Sequence, residues 1–205
     1  EYCAGVSRDP DIDSGPIVQV RDSSGKLRVN RDPDPSLVYD GPLAVLVDRN
    51  SASASEIFAG AIQDYRRGIV VGEPTFGKGT VQTLVDLSNL VHGSKNELGQ
   101  LKVTVAQFFR VNGSSTQFRG GIPDIIYPTA GDTDDHGERS LDNALPWAQI
   151  SPADYKTSTV TPMPRLMESH LNRISQDPGF EMLVDREKRF EDMDLRTEIS
   201  LLESR

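Results

Sequence analysis

The chain has 205 residues, and a chain of this length can bury a hydrophobic core without disulfide bonds. Its single cysteine, Cys3, excludes both an intrachain disulfide and a cysteine-based metal cluster. The net charge of -9 repels the phosphates of nucleic acids and of anionic lipids, so nucleic acid is not expected as a partner. No apolar run approaches the roughly 20 residues of a membrane span, and membrane insertion is not expected either.

The first part of the chain predicts short strands. Residues 1–15 contain Asp, Gly and Pro without a period, so they are predicted to be irregular, and no secretion signal is expected among them. Residues 17–21 predict a strand that returns over residues 27–29 as a hairpin through the turn-forming run DSSGK. Residues 43–47, with the sequence LAVLV, form a continuous apolar run that is typical of a central strand buried on both faces.

A helix and a second buried strand follow this apolar run. Residues 53–67 carry apolar side chains at helical spacing, which predicts an amphipathic helix. Residues 69–72, with the sequence IVVG, predict the next buried strand. Strand, helix and strand therefore follow one another in the order of a crossover unit with parallel strands.

The remaining patterns complete the expected architecture. Further strands are predicted at residues 81–87, 101–110 and 125–127, with a polar loop at 88–99, and beyond Pro152 helical spacing is interrupted only near residues 177–179. The expected fold is α/β, with a mixed-sheet core, a strand-helix-strand crossover and a helical C-terminal extension. The predicted domains are an irregular N-terminal segment, a core and a helical extension, over residues 1–15, 16–135 and 136–205.

Ser53 is the first candidate for chemistry. It follows a predicted buried strand and opens the predicted helix, where backbone N–H groups and the helix dipole stabilise an oxyanion. The N–H of Ala54, the next residue, would serve as a donor of that oxyanion hole. Residues 53–56 also fit the capping box Ser-x-x-Glu, in which Ser53 and Glu56 only satisfy backbone donors. The pattern alone favours the cap.

Lys78 is the second candidate. It lies between Gly77 and Gly79, which allow the backbone to approach a neighbouring element closely. A free lysine has a pKa of about 10.4, so a lysine that acts as a base near neutrality has to be desolvated. A surface lysine with its ammonium group in water is the simpler interpretation.

Residues 72–78 also suggest a function of another class. They read G-x-x-x-x-G-K, which nearly matches a phosphate-binding loop. However, Gly79 stands where such a loop has Ser or Thr, and the following residues predict a strand in place of a helix N-terminus. Nucleotide binding through Gly72 to Lys78 is therefore an alternative that the pattern disfavours.

The histidines and acidic residues point to no further site. No carboxylate motif accompanies His92, His136 or His170, so a Ser-His-Asp triad is not predicted. The acidic run at residues 132–135 could bind calcium, but a solvated loop is the expected structure. Neither a metal nor a cofactor is expected.

The runs NSASASEI and VVGEPTFGKGTVQ, at residues 50–57 and 70–82, resemble the two signature segments of the carboxyl-terminal processing protease family. Flanking runs such as GPLAVLVDR and DNALPW are also similar to that family, most closely to its tail-specific subgroup of the bacterial periplasm. The resemblance runs from about residue 12 to the end. It implies that Ser53 is the nucleophile and Lys78 the general base of a serine-lysine dyad.

The resemblance also implies roles for two further residues. Gln82 matches the position that orients the lysine, which agrees with the ability of an amide oxygen to accept from an ammonium group. Asp64 matches a position associated with activity in the tail-specific subgroup and is expected to give structural support. Ser51 and Ser55 are expected to be polar neighbours of the nucleophile.

The expected activity follows from the same resemblance. Such an enzyme cleaves proteins near nonpolar, flexible carboxyl-terminal tails through an acyl-enzyme, without a cofactor, in the periplasm and with an adaptor protein as an additional partner. Neither a PDZ-like region nor the family's preceding glycine-rich segment is found in the chain. An inactive fragment that only binds peptides or acts as a scaffold is therefore the second hypothesis.

Overall fold

The computed structural model of the chain describes residues 15–33, 36, 39–89, 98–128, 135–157, 162–194 and 196. Of the predictions above, almost all of the irregular segment 1–15 and most of the polar loop lie outside these ranges, as do His92, Asp132 and Asp134. In chain order the helices and strands are β1 (Pro16–Asp22), β2 (Leu27–Arg31), β3 (Ala44–Val47), α1 (Ala54–Asp64), β4 (Ile69–Gly72), β5 (Thr80–Asp86), β6 (Gln100–Phe109), β7 (Ile125–Ile126), α2 (Met163–Ile174) and α3 (Pro178–Asp194).

Four strands form an antiparallel sheet in the order β2-β1-β6-β5. β1 and β2 pair as the predicted hairpin, with Arg21 opposite Leu27 next to the turn. β6 pairs with β1 on one side and with β5 on the other, so the strand that follows the lysine segment lies at an edge of this sheet. The pairing of β1 with β6 joins segments that are far apart in the chain.

Three strands form a separate parallel sheet in the order β3-β4-β7. The predicted crossover is confirmed, because β3 and β4 pair in parallel with Val45 opposite Val70 and are joined through α1. Val47, Val70 and Ala59 of α1 are buried together, and Val45 packs against them. The hydrophobic effect thus holds the helix against one face of the sheet. The α/β fold is as predicted, with parallel and antiparallel strands and flanking helices.

The prediction that residues 43–47 form a central strand was wrong in one respect. Within the described residues β3 is an edge strand, and burial alternates along it: Val47 is buried, whereas Leu46 is 80% exposed. α1 covers one face of the strand only. An apolar run shows that a strand is hydrophobic, but not that both of its faces are covered.

The predicted helix 53–67 is also shorter in the structure, because α1 ends at Asp64. Arg66 has a φ of 53°, which no α-helix contains. Tyr65 and Arg67 are buried beyond the helix end: the Tyr65 hydroxyl donates to the Pro16 carbonyl at 2.7 Å. Because these residues are buried like those of the helix, the pattern in the sequence continues past the residue at which the helix ends.

The C-terminal region contains the two predicted helices, α2 and α3. The break between them is at Asp177, whose Oδ1 accepts from the Gly179 N–H at 2.8 Å, and α3 begins at Pro178. A proline at the first position of a helix loses no hydrogen bond. None of the helices in the described ranges combines the length and apolarity needed to cross a membrane. The division of the chain at residues 15 and 135 stays a prediction.

Candidate functional site

The loop between β3 and α1 is held by its own turn. Asp48 Oδ1 accepts from the N–H groups of Asn50 and Ser51 at 2.9 and 3.0 Å, as in an Asx turn. The Ser51 carbonyl in turn accepts from the Phe76 N–H at 3.0 Å. This bond joins the loop that precedes Ser53 to the loop that precedes Lys78.

Ser53 has a strained backbone. Its φ is 57° and its ψ is -111°, whereas the residue that caps a helix N-terminus usually lies in the β region. Positive φ is uncommon outside glycine, and such strain is concentrated at functional sites. Within the described residues the Ala54 N–H has no hydrogen-bond acceptor, which leaves it available to an incoming oxyanion.

Glu56 connects the two predicted segments. Its carboxylate is 1% exposed and accepts four hydrogen bonds. Oε2 accepts from the N–H of Ser53 at 2.8 Å and from the N–H of Lys78 at 3.0 Å. Oε1 accepts from the Thr75 hydroxyl at 2.5 Å and from the Gly77 N–H at 2.8 Å. Because one oxygen receives both backbone groups, the nitrogens of Ser53 and Lys78 lie no further apart than these two bonds allow.

The environment of Glu56 perturbs its ionisation in two opposing ways. Burial raises the pKa of Glu56 above its ordinary value, and the hydrogen bonds from Thr75, Ser53, Gly77 and Lys78 lower it again. Burial has the larger effect.

A second buried side chain holds the segment that carries Lys78. Gln117 Oε1 accepts from the Gly79 N–H at 2.8 Å, and the Gly77 carbonyl accepts from the Phe118 N–H at 2.8 Å. A Cβ atom on Gly79 would lie 2.7 Å from the backbone nitrogen of Gln117, so only glycine fits there. The predicted close backbone approach beside the lysine is confirmed at Gly79. The Lys78 side chain itself is half-buried.

The other residues predicted for the site, Gln82 and Asp64, have their hydrogen-bond partners elsewhere. Gln82 is exposed on β5, and its amide nitrogen lies 3.5 Å from Thr104 Oγ1. Asp64 is at the C-terminal end of α1, and Ser53 precedes the other end, so they lie roughly 16 Å apart along the helix axis. The structure therefore brings together Ser53, Ala54 and Lys78.

Asp64, at the end of α1, forms a buried ion pair with Arg110, the residue that follows β6. Arg110 donates to its two carboxylate oxygens at 2.5 and 3.1 Å, and Asn112 Nδ2 donates at 2.8 Å. Burial raises the pKa of Asp64, and the adjacent Arg110 opposes this effect. These contacts fasten the helix that begins at Ser53 to the antiparallel sheet.

The described histidines have partners elsewhere. His136 Nε2 lies 3.1 Å from the Arg49 carbonyl, and the His170 ring packs against Tyr127 and Phe180. Neither has a hydrogen bond to Ser53 in the described part of the chain. Within that part there is also no group of three or more His, Cys, Asp or Glu residues able to hold a metal ion.

Nucleotide binding has little support in the geometry. A phosphate-binding loop presents free N–H groups at the start of a helix. Here the N–H groups of Gly77, Lys78 and Gly79 already donate to Glu56 and Gln117, and β5 follows. The buried carboxylate of Glu56 would also repel a phosphate.

Reasoning from the sequence missed three residues of this site. Glu56 was assigned only to the cap, and neither Thr75 nor Gln117 was identified. The signal for Glu56 was its place in the capping box, which locates it at the helix N-terminus but does not identify its distant partners. No local pattern marks Gln117.

Family models cover nearly the whole chain. Residues 3–127 match the family described as peptidase family S41, and residues 131–205 match the domain described as the C-terminal domain of tail-specific protease.

The chain is also similar to known proteins. The tail-specific protease of Haemophilus influenzae is 45% identical over 188 residues, which are 87% of this chain and 27% of that protein. The chloroplastic C-terminal processing peptidase of Tetradesmus obliquus is 41% identical over 114 residues, covering 56% of this chain and 23% of that protein. The photosystem II D1 C-terminal processing protease superimposes with a TM-score of 0.49 at 38% identity, covering 60% of this chain and 29% of that structure. The chain spans about a quarter of the length of these relatives.

Proposed function

Because the chain belongs to peptidase family S41, we propose that it carries the catalytic core of a serine-type endopeptidase with Ser53 as nucleophile and Lys78 as general base. The observation that carries this proposal is the shared acceptor Glu56 Oε2, which binds the N–H groups of both residues. A base has to lie within hydrogen-bond reach of the proton that it removes. The shared acceptor supports the proposal because it keeps the backbones of the two residues close together, and the mechanism requires the Lys78 amine to reach the Ser53 hydroxyl when substrate is bound.

The position of Ser53 suits acyl transfer. Attack of its hydroxyl on a peptide carbonyl produces an oxyanion, and the Ala54 N–H at the start of α1 would donate to it. The helix dipole favours the same negative charge. The positive φ of Ser53 further supports a functional role, since a serine that serves only as a cap needs no such strain.

The reaction would proceed in two steps. The neutral Lys78 amine takes the proton of the Ser53 hydroxyl as its oxygen bonds to the substrate carbonyl, and the amine of the leaving peptide receives that proton. Water then attacks the acyl-enzyme ester and restores Ser53. In this scheme Gln82 would orient the lysine, and Asp64 would support the helix from its far end.

The proposed substrates are unfolded proteins or flexible, nonpolar carboxyl-terminal tails, cleaved in the periplasm with an adaptor protein as a further partner. The tail-specific protease of H. influenzae supports this class of substrate by its name and its identity of 45%. No cofactor enters the chemistry that is proposed.

The test compares variants of the complete gene product on an unfolded protein with a nonpolar tail. Ser53→Ala and Lys78→Ala should each lower kcat/KM by at least about 1,000-fold, because each removes a reacting group. Ser23→Ala in the β1–β2 turn and Lys102→Ala on β6 are matched controls with exposed side chains, and both should cleave normally. Circular dichroism checks that each variant folds. Normal cleavage by either Ser53→Ala or Lys78→Ala would disprove the mechanism.

The same proteins separate the alternatives. If the gene product cleaves the substrate while the 205-residue chain alone binds the tail peptide without cleaving it, the isolated chain is only a binding module. Saturable ATP binding that disappears in Lys78→Ala would support the nucleotide-binding alternative.

A further inference from the structure

The side chain of Gln117 is a buried amide in contact with the lysine segment. It is 0% exposed. Its Oε1 accepts from the Gly79 N–H at 2.8 Å, which fixes the residue after Lys78. Its Nε2 donates to Glu138 Oε1 at 3.0 Å and to the Leu145 carbonyl at 3.1 Å. Both functional groups of the amide therefore form hydrogen bonds, the oxygen with the lysine segment and the nitrogen with Glu138 and Leu145.

The segment that contains Glu138 also contacts both loops of the site directly. The Glu138 N–H donates to the Phe76 carbonyl at 2.8 Å. His136 Nε2 lies 3.1 Å from the Arg49 carbonyl, and its ring meets the edge of the Phe76 ring at a centroid distance of 5.9 Å. His136 and Glu138 lie in the part of the chain, 131–205, that matches the C-terminal domain of tail-specific protease.

We propose that Gln117 is a positioning residue for Lys78, and that Glu138 anchors it, so that the start of the C-terminal domain is part of the active site. The proposal rests on the function proposed above. Glu56 holds the backbone of Lys78, and Gln117 holds the backbone of the next residue, Gly79. The buried side chains of Glu56 and Gln117 thus fix the backbone on both sides of the Lys78 Cα atom, from which the lysine side chain projects.

Loss of this support should affect the chemical step and not substrate binding. A displacement of about 1 Å at a reacting group can lower the rate on the order of 100-fold. Gln117 is buried behind the lysine segment, so it does not reach the substrate and KM should change little.

The critical variant is Gln117→Glu in the complete gene product. In its ionised form the new carboxylate still accepts from the Gly79 N–H, but it cannot donate and it faces Glu138 and the Leu145 carbonyl. We expect kcat to fall about 100-fold while KM stays within about threefold. Adding Glu138→Gln supplies an amide donor to the new carboxylate, so the double variant should recover at least about tenfold of the lost kcat.

Gln19 provides a matched control. It is also a buried glutamine, 1% exposed, and its Nε2 donates to the carbonyls of Arg110 and Ser151 at 3.2 Å each. Gln19→Glu therefore also replaces a buried amide that donates hydrogen bonds by a carboxylate. It does so without touching the lysine segment. It should lower stability but leave kcat unchanged when rates are normalised to reactive serine by phosphonate labelling.

Two results would overturn the proposal: a fall in kcat with Gln117→Glu no larger than with Gln19→Glu, or no recovery on addition of Glu138→Gln. A wild-type protein that cleaves nothing, or an active Ser53→Ala variant, would instead refute the proposed function, and the inference about Gln117 would be refuted with it.

Discussion

At the scale of single residues, Glu56 is an ionisable side chain in a place that opposes its charge. A carboxylate has about four lone-pair positions, and here two N–H groups donate to Oε2 while a hydroxyl and an N–H donate to Oε1. All four partners can act as donors, which is the arrangement that an ionised carboxylate requires. Glu56 thus holds the loops of Ser53 and Lys78 together through four hydrogen bonds, while its burial opposes its charge.

Glu56→Gln tests this role. In either orientation of the amide its N–H₂ group faces at least one backbone donor, the Gly77 N–H at one position or the N–H groups of Ser53 and Lys78 at the other, so at least one hydrogen bond is lost inside the protein. Buried donors without a partner cost about 1–3 kcal/mol each, and we expect the free energy of unfolding to fall by about 3 kcal/mol, with cleavage lost as well. Urea unfolding measures the change. Glu73→Gln is the control, since the half-exposed ion pair of Glu73 with Arg49 is worth under about 1 kcal/mol. Equal effects of the two variants would contradict the argument.

The pH dependence of stability follows from the raised pKa of Glu56. A carboxyl group whose pKa is higher in the folded than in the unfolded state binds its proton more tightly when folded. Its contribution to stability is then complete below the unfolded pKa and is lost as the pH rises through the folded pKa. The margin of wild type over Glu56→Gln should therefore narrow as the pH rises above the ordinary pKa of a glutamate, about 4.3. Urea midpoints at three pH values measure it, and a widening margin would show that the four donors outweigh burial.

The sequence could identify these residues only in part. Ser-x-x-Glu marked Ser53 and Glu56 because a capping box is local, and the glycines beside Lys78 marked a close backbone approach. The partners Thr75, Gly77 and Lys78 are about twenty residues from Glu56 along the chain. Such contacts depend on how the elements pack, which a local pattern does not describe.

At the scale of elements, the end of β4 is fitted closely to β3. Gly72 has a φ of +136°, and a Cβ atom there would lie 1.9 Å from the Val47 carbonyl oxygen. The same carbonyl accepts from the Glu73 N–H at 3.1 Å. Since β3 leads into the loop of Ser53 and β4 into that of Lys78, this contact sets the relative position of the two loops.

Gly72→Ala should separate these strands. The methyl group meets a backbone atom that cannot rotate away, in a region of φ that alanine disfavours, and we expect a loss of about 3 kcal/mol in the free energy of unfolding. Gly25→Ala in the β1–β2 turn is the matched control: its φ is +84°, but no heavy atom lies within 4 Å of the new Cβ. It should cost about 1 kcal/mol. Urea unfolding of the pair distinguishes the clash from backbone strain alone, and equal losses would show that the contact with Val47 is unimportant.

The elements themselves were largely predictable, because apolar runs and helical spacing are produced by the same burial that stabilises the elements. The errors came where burial and regular structure separate. Tyr65 and Arg67 are buried outside a helix, and Leu46 is exposed within an apolar strand. Sheet order was not predictable, since the pairing of β1 with β6 depends on segments nearly ninety residues apart.

At the scale of the whole molecule, an aromatic cluster joins the C-terminal helices to the parallel sheet. His170 of α2 is buried between Tyr127, which follows β7, and Phe180 of α3. The ring centroids of Tyr127 and Phe180 are 5.8 Å apart, and those of His170 and Phe180 are 6.0 Å apart. Through this cluster the two helices pack against an element of the parallel sheet.

His170→Ala tests whether the cluster holds the helices in place. Removing the ring leaves a cavity between two aromatic side chains and should weaken the docking of α2 and α3 by about 2 kcal/mol. Amide hydrogen exchange should then accelerate in both helices while the strands of the antiparallel sheet keep their protection. Met182→Ala on α3 is the control, because Met182 is 69% exposed and its loss should change exchange by under about 0.5 kcal/mol. Equal acceleration of exchange in the helices and in β6 would contradict this expectation. The helices and the core would then unfold as one cooperative unit, and the cluster would not stabilise the docking of the helices separately.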